Sequence, residues 1–181
     1  MNTLEIDNFL HKNLPTLEHC VCACNELPLL PYGNSNSSSD SLKTEFYIIS
    51  NTQPRHITDK GHWVCCILTY PFNIFFDSFG RSPTFYKHGS YFTKFLGPHF
   101  IHSTMRIQAL DSSVCGEMCL YIIKHLQTSS FQDILTFHFP FPQHYRMNDA
   151  LVRSYVHSSK SPNHLSLSVH CQCASPSRYC D

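Results

Sequence analysis

The strongest constraint on the fold is an apolar repeat of helical period that follows a short polar turn. Its members recur at spacings of three and four residues, the pattern of a helix with one buried face. They are Met118, Cys119, Ile122, Ile123 and Leu126. The sequence therefore predicts a core helix here, against which a sheet can pack.

A cysteine followed by a glycine stands where this helix begins. The turn 112–114 leads directly into Cys115 and Gly116. Unpaired N–H groups in the first turn of a helix carry partial positive charge, which favours a thiolate over a thiol. Gly116 would let backbone or substrate approach closely beside the sulfur. The alternative is a plain buried cysteine, a role that suits Cys119 one turn further along.

An activated thiol needs a base, and two β-prone segments offer a base and a carboxylate. His62 precedes the apolar run 63–68, and Asp77 follows the next such run, 72–76. If these runs form adjacent strands, the imidazole ring and the carboxylate would lie side by side. A histidine oriented by a carboxylate is the usual activating arrangement for a nucleophile.

The order along the chain is His62, Asp77, Gln108 and Cys115. In acyl transfer these residue types serve as base, orienter of the base, amide donor to the oxyanion, and nucleophile. Each has an ordinary alternative when taken alone. His62 is one of thirteen histidines, and Asp77 would equally cap a turn before Gly80.

The sequence around these residues resembles the adenovirus-type (adenain-like) cysteine proteases, within the wider group that includes the ubiquitin-like-protein proteases. The resemblance rests on GHW at 61–63, FFDSFG at 75–80 and QALDSSVCGEMCLY at 108–121. It is supported by NELP at 25–28 and FYIISNT at 46–52. The histidine-before-cysteine order is the reverse of the papain-like order.

The resemblance implies a cysteine endopeptidase in which Cys115 is the nucleophile, His62 the base, Asp77 its orienter and Gln108 an oxyanion donor. It implies a polypeptide substrate, either a viral or mobile-element precursor or a ubiquitin-like tail, and it places Trp63 near the active site. Two other functions stay open: a ubiquitin-like-protein deconjugase, and a retired protease domain that acts as a binding module.

Two features depart from the viral enzymes, which carry a glutamate in the triad and are activated by a peptide that can form a disulfide. The acidic member here is Asp77. The chain has no cysteine between Cys66 and Cys115 that such a peptide could join. A peptide activator is therefore left open as a partner.

Composition limits the other partners. The 181 residues carry 13 basic and 13 acidic side chains, so the formal charge is zero and DNA binding is not expected. No apolar run reaches the length of a membrane span, and the N-terminus does not look like a signal peptide. With ten cysteines, we expect a monomer with free thiols in the cytoplasm or nucleus.

The predicted fold class is α+β: a single domain with a central twisted mixed sheet packed on the helix that carries Cys115. The domain covers 1–156, and a Ser/His/Cys-rich tail, 157–181, is expected to be disordered. We also predict helices over 3–10, 83–96 (weakened at Gly89) and 131–135, and a last helix to Val156 that is capped by Asn148 and Asp149. Further strands are predicted over 45–50 and 100–110. A mobile loop is predicted over 33–40, and an irregular, proline-broken stretch over 137–142.

Metal ligation is a further possibility for the alternating Cys20, Cys22 and Cys24, which would share one face of an extended segment. Their spacing differs from that of common zinc knuckles, so free thiols are the favoured interpretation. Cysteines and a histidine of the tail, 170–180, offer a similar alternative. We expect no metal site and no cofactor.

Overall fold

Helices and short strands alternate along the chain. The computed structural model describes residues 1–30, 46–57, 61–69, 72–127 and 144–158. The helices in these ranges are α1 (Thr3–Asn13), α2 (Gly89–Leu96), α3 (Cys115–Leu126) and α4 (Tyr145–Ser158). The strands are β1 (His19–Ala23), β2 (Phe46–Asn51), β3 (Trp63–Leu68), β4 (Asn73–Phe76) and β5 (Phe100–His102). Short 3₁₀ helices cover Cys24–Leu29 and Pro83–Phe85.

The strands form one mixed sheet in the order β1-β2-β3-β4-β5. Its centre is antiparallel, because β3 runs opposite to both β2 and β4. At the two ends of this order, β1 pairs in parallel with β2, and β5 in parallel with β4. The prediction of a single α+β domain with a mixed sheet packed on a core helix is confirmed.

Helices cover both faces of this sheet, which explains why its central strands read as nearly continuous apolar runs. Along β3, Trp63, Cys65 and Ile67 pack into the layer formed with α1, α3 and α4. Val64 and Cys66 point the opposite way, into the layer that contains α2. The predicted core helix is α3, and its apolar repeat belongs to the first of these layers.

The predicted strand over 100–110 is wrong beyond His102, where β5 ends. The chain then wraps around the end of β4. The backbone N–H groups of Ile107 and Gln108 both donate to the carbonyl of Ser78, at 2.9 and 3.2 Å. These two N–H groups would otherwise pair with a neighbouring strand. Because they bond to Ser78 instead, the segment forms a loop anchored beside Asp77.

The single helix predicted over 83–96 is two elements. A 3₁₀ turn over Pro83–Phe85 comes first, and α2 starts only at Gly89. Gly89 lies against the carbonyl of Pro83, where any Cβ would collide with the carbonyl oxygen. The glycine therefore marks the start of the helix rather than a weak point inside it.

The last helix starts earlier than predicted, at Tyr145, so Asn148 and Asp149 lie inside it and do not cap it. Both are buried, at 1% and 6% exposure. The Asn148 side chain donates to the backbone carbonyl of Ile107 at 2.8 Å and so ties α4 to the loop before α3. The sequence pattern suggested a helix cap at Asn148, but in the folded domain this side chain bonds to a distant backbone carbonyl instead.

The first helix extends to Asn13, beyond the predicted range 3–10. Its cap is Asn2, whose side-chain oxygen accepts from the N–H of Glu5 at 2.9 Å, while the Glu5 carboxylate accepts from the N–H of Asn2 at 2.8 Å. This reciprocal capping box satisfies two otherwise unpaired donors at the start of α1.

The three alternating cysteines share one apolar layer, as predicted. Cys20, Cys22 and Cys24 all pack on the side of the sheet that contains α2. Burial raises the pKa of the Cys24 thiol to about 11, so this thiol stays protonated near neutral pH.

Several predictions concern residues outside the described ranges: the loop over 33–40, the helix over 131–135, the stretch over 137–142 and the tail from 159 onward. In the described residues, no helix has both the length and the apolar character needed to cross a bilayer.

Candidate active site

The candidate nucleophile, Cys115, is the first residue of α3 and is partly exposed. The backbone N–H of Trp63 points at its sulfur, 3.5 Å away. Burial alone would raise the pKa of the Cys115 thiol. Hydrogen bonding to His62, the positive charge of that ring, and the N–H groups of Trp63 and Gly116 outweigh burial and lower the pKa. The thiolate is thus favoured at this helix end.

The candidate base, His62, lies immediately before β3. Its backbone N–H donates to the Thr52 hydroxyl at 3.0 Å, and its carbonyl accepts from the Thr52 N–H at 2.8 Å. The Thr52 pairing fixes the backbone that carries the imidazole ring. The ring of Phe79 stacks on the imidazole ring of His62, with the two ring centroids 4.8 Å apart.

The ring of His62 is held by the carboxylate of Asp77, with Nε2 and Oδ1 2.6 Å apart. In the register Cys65↔Phe76 between β3 and β4, Asp77 follows the last residue of β4 and His62 immediately precedes β3, so both lie at the same end of the two strands. Both side chains contact Tyr86, which packs on the layer that contains α2. With Nε2 occupied, Nδ1 is the nitrogen left to exchange a proton with Cys115.

The Asp77 carboxylate is fully buried and accepts hydrogen bonds on both oxygens. Oδ1 also accepts from the N–H of Phe79 at 2.9 Å. Oδ2 accepts from the N–H of Arg81 at 3.1 Å and from the Tyr86 hydroxyl at 2.6 Å. Burial alone would raise the pKa of Asp77, but these bonds and the charge of His62 lower it. The carboxylate is therefore ionised near neutral pH.

Asp77 and Cys115 in turn change the basicity of His62. Burial would lower the pKa of the imidazole, yet the hydrogen bonds to Asp77 and Cys115, and the negative charges of both, raise it to about 9. A raised imidazole pKa beside a lowered thiol pKa describes a thiolate–imidazolium pair. Such a pair is the resting form of an activated cysteine nucleophile.

Gln108 is fully buried and is joined to this site through its neighbours. Its side-chain oxygen accepts from the hydroxyl of Ser78, the residue after Asp77, at 2.5 Å. Its amide nitrogen donates to the carbonyl of Ser112 at 2.9 Å, three residues before Cys115. These bonds fix the amide between the end of β4 and the start of α3, and within the described residues one of its two N–H groups is left for another acceptor.

The space beside Gly116 is filled by side chains, whereas backbone or substrate was predicted there. A Cβ at this position would lie 3.3 Å from the side chain of Ile6, 3.4 Å from Met1 and 3.5 Å from Trp63. The indole N–H of Trp63 donates to the carbonyl of Met1 at 3.1 Å. The N-terminal end of α1 thus packs on the start of α3, and Trp63 lies near Cys115 as the resemblance implied.

Sequence reasoning missed three residues that position the site. Tyr86 donates to Asp77, Thr52 holds the backbone of His62, and the Ser103 hydroxyl accepts from the N–H of Asp77 and donates to its carbonyl, both at 2.9 Å. Each is separated from its partner by nine or more positions in sequence, beyond the reach of a helical or strand period, so no local pattern indicates it.

Comparison with protein-family models gives no match, and comparison with curated proteins gives none either.

Removing the Tyr86 hydroxyl tests how much the buried carboxylate depends on its donors. We expect Tyr86→Phe to lower the free energy of unfolding by about 1.5–3 kcal/mol near neutral pH, the range for hydrogen bonds to charged groups. The pKa of Asp77 is lowered in the folded state. Its stabilisation is therefore present above the unfolded pKa of about 3.9 and is lost as pH falls through the folded pKa.

The measurement is urea denaturation near neutral pH and again in acid, where the difference should shrink. Tyr91→Phe, a hydroxyl deletion on α2, is the matched control and should change stability by less than about 0.5 kcal/mol. Equal effects of the two substitutions would contradict the assigned role of Tyr86.

Proposed function

We propose that the chain is a cysteine endopeptidase of the adenain type, and that its α+β domain is an adenain-like domain. The observation that carries the proposal is the geometry of three residues. Cys115 begins a buried helix, its sulfur meets the backbone N–H that follows His62, and the His62 ring is bonded to a buried, multiply hydrogen-bonded Asp77. A structural cysteine needs none of these contacts.

The proposed reaction uses the thiolate–imidazolium pair directly. The Cys115 thiolate attacks the carbonyl carbon of the scissile peptide bond, and the carbonyl electrons move to its oxygen. The free amide N–H of Gln108 and backbone N–H groups at the start of α3 stabilise this oxyanion. Collapse breaks the C–N bond, and the His62 imidazolium protonates the leaving amine. Water, deprotonated by His62, then attacks the thioester, the Cys115 thiolate leaves, and the thiolate–imidazolium pair is restored.

The proposed substrate is a polypeptide, in the first place a viral or mobile-element precursor. A ubiquitin-like tail is the second candidate, because the wider group to which the sequence is similar includes deconjugases. A retired domain that only binds peptides is the third. The lowered pKa of Cys115 favours the two enzymatic functions over this last one, since a binding module has no use for an activated thiol.

Labelling with two electrophilic probes distinguishes these functions. One probe is a short peptide ending in a glycine electrophile, and the other is a ubiquitin-like protein with a reactive C-terminus. Labelling by the peptide, mapped to Cys115 and lost in Cys115→Ala and His62→Ala, would support the endopeptidase. Preferential labelling by the ubiquitin-like probe would indicate the deconjugase. Labelling spread over other cysteines and unaffected by His62→Ala would indicate the binding module.

The pH dependence of hydrolysis should show an alkaline limb set by His62. Because the pKa of this imidazole is raised to about 9, the imidazolium that protonates the leaving amine is present below that pH and is lost as pH rises through it. We expect kcat/KM for a peptide substrate to fall above about pH 9. Alkylation of Cys115 by iodoacetamide needs only the thiolate and should not fall there. A parallel fall of both rates, or a kcat/KM that keeps rising, would contradict the assignment.

A further inference from the structure

A cluster of two histidines and one carboxylate joins α1 to the start of β1. Asp7 and His11 lie one helical turn apart on the same face of α1, and His19 is the first residue of β1. The potential ligand atoms of these three side chains all lie within 4.8 Å of one another. None of the three belongs to the candidate active site.

The decisive member is His19, whose side chain is only 6% exposed. Its Nδ1 lies 2.9 Å from the carbonyl of Leu17. A carbonyl only accepts, so Nδ1 carries the hydrogen and Nε2 of the neutral ring presents a lone pair. Among the described residues this buried Nε2 has no hydrogen-bond partner, and it points at the half-exposed Asp7 carboxylate, 3.5 Å from Oδ1. A buried acceptor that faces a second acceptor calls for a cation between them.

His11 approaches the same carboxylate from within α1. Its Nδ1 lies 3.0 Å from the backbone carbonyl of Asp7 and 3.5 Å from Oδ2 of the same residue. Its ring meets that of His19 edge to face, with centroids 4.7 Å apart. Metal-binding histidines commonly donate one ring N–H to a backbone carbonyl, as Nδ1 of His19 does to Leu17, which orients the ring and leaves the other nitrogen for the metal.

The distance between the facing acceptors suits a tetrahedral ion. Zinc binds imidazole nitrogen at about 2.0–2.1 Å and carboxylate oxygen at about 2.0–2.2 Å, so two ligands at tetrahedral angles lie roughly 3.4 Å apart. The separation between Nε2 of His19 and Oδ1 of Asp7 is 3.5 Å. Calcium and magnesium prefer oxygen ligands, whereas two imidazoles with one carboxylate suit zinc and its neighbours.

We propose that Asp7, His11 and His19 bind a divalent transition metal, with Zn²⁺ as the best chemical match and the fourth position left to water. The metal ties α1 to β1. Since α1 also supports the candidate active site through the contacts of Met1 and Ile6 with Trp63 and Gly116, the ion stabilises that end of the domain. Sequence reasoning considered the cysteines at 20–24 and the cysteines and histidine of the tail as ligands, and did not single out these residues.

The test is titration of the whole purified chain with Zn²⁺ by calorimetry, together with Co²⁺ absorption and thermal unfolding. We expect one Zn²⁺ per chain, a rise in Tm with Zn²⁺, and a Co²⁺ spectrum with d–d bands and no thiolate charge-transfer band. His19→Gln should weaken Zn²⁺ binding by about a hundredfold or more. His11→Gln, on an exposed ring, should also weaken binding and guards against misfolding of the first variant. His157→Gln, at the end of α4, is the matched control and should bind as the unaltered chain does.

Three results would overturn the proposal. A thiolate charge-transfer band would assign the metal to the cysteines. Equal binding by His19→Gln, His11→Gln and His157→Gln would assign it to another place on the chain. Failure of the unaltered protein to bind Zn²⁺ would mean that a proton on His19 pairs with Asp7, a simple ion pair.

Discussion

Cys115→Ala should lower peptide hydrolysis by about four orders of magnitude or more while leaving the fold intact. Without the covalent nucleophile no thioester intermediate can form, so the whole reaction pathway is lost and not just one stabilising contact. In comparable triads, removal of the nucleophile gives one of the largest decreases in rate. The side chain is partly exposed at a helix end, so replacing its SH group by hydrogen creates little cavity. The measurement is kcat/KM for a substrate peptide with the sequence of the glycine probe, with the far-UV circular dichroism spectrum as a check on folding.

Cys119→Ala is the matched control for this experiment. Cys119 lies one turn further along α3 and is fully buried, and burial raises the pKa of its thiol. Its replacement should cost some stability through the lost volume, yet leave kcat/KM within a fewfold of the unaltered enzyme. If Cys115→Ala retained hydrolysis, or if Cys119→Ala lost it equally, Cys115 would not be the nucleophile.

His62→Gln should lower kcat/KM by a similar amount, about four orders of magnitude, because members of such a unit act together. Glutamine keeps a donor that can reach Asp77, so the buried carboxylate is not left without a side-chain partner. It cannot carry a proton from the thiol to the leaving amine. The pKa of Cys115 should rise toward the value of a free thiol, about 8.5, since the positive charge that lowers it is gone.

A second readout separates the two roles of His62. The rate of Cys115 alkylation by iodoacetamide should decrease near neutral pH in His62→Gln and recover at higher pH, where the thiol ionises without help. His157→Gln is the matched control and should leave both hydrolysis and alkylation unchanged. Unaltered alkylation in His62→Gln would show that the helix end alone activates the thiol and that His62 is only a structural neighbour.

These expectations depend on how the sheet pairs, which the sequence indicates only in part. Period and composition predicted α3, the runs that become β3 and β4, and the positions of His62 and Asp77 just outside their strands. Those are local patterns, set by which side chains must be buried within one element. The prediction that two adjacent strands bring His62 and Asp77 together required a register that no local pattern specifies, and the pairing Cys65↔Phe76 supplies it.

Where local patterns failed, long-range contacts were decisive. The segment after His102 alternates loosely like a strand, but its N–H groups bond to Ser78 at the end of β4. Asn148 looks like a helix cap, but it bonds to Ile107 across the domain. In each case a partner distant in sequence offers a better hydrogen bond than the local structure does.

By itself, the sequence determined the α+β class, the core helix, and the placement of a cysteine at its N-terminal end, because amphipathic periods and helix ends are properties of neighbouring residues. Only the tertiary structure decided which groups surround these positions. The Tyr86 hydroxyl on Asp77 and the meeting of His19 with Asp7 both join segments that are remote in sequence or separated by a turn. Such contacts depend on how the helical and sheet layers pack around a common core, and this packing depends on the sequence of the whole chain.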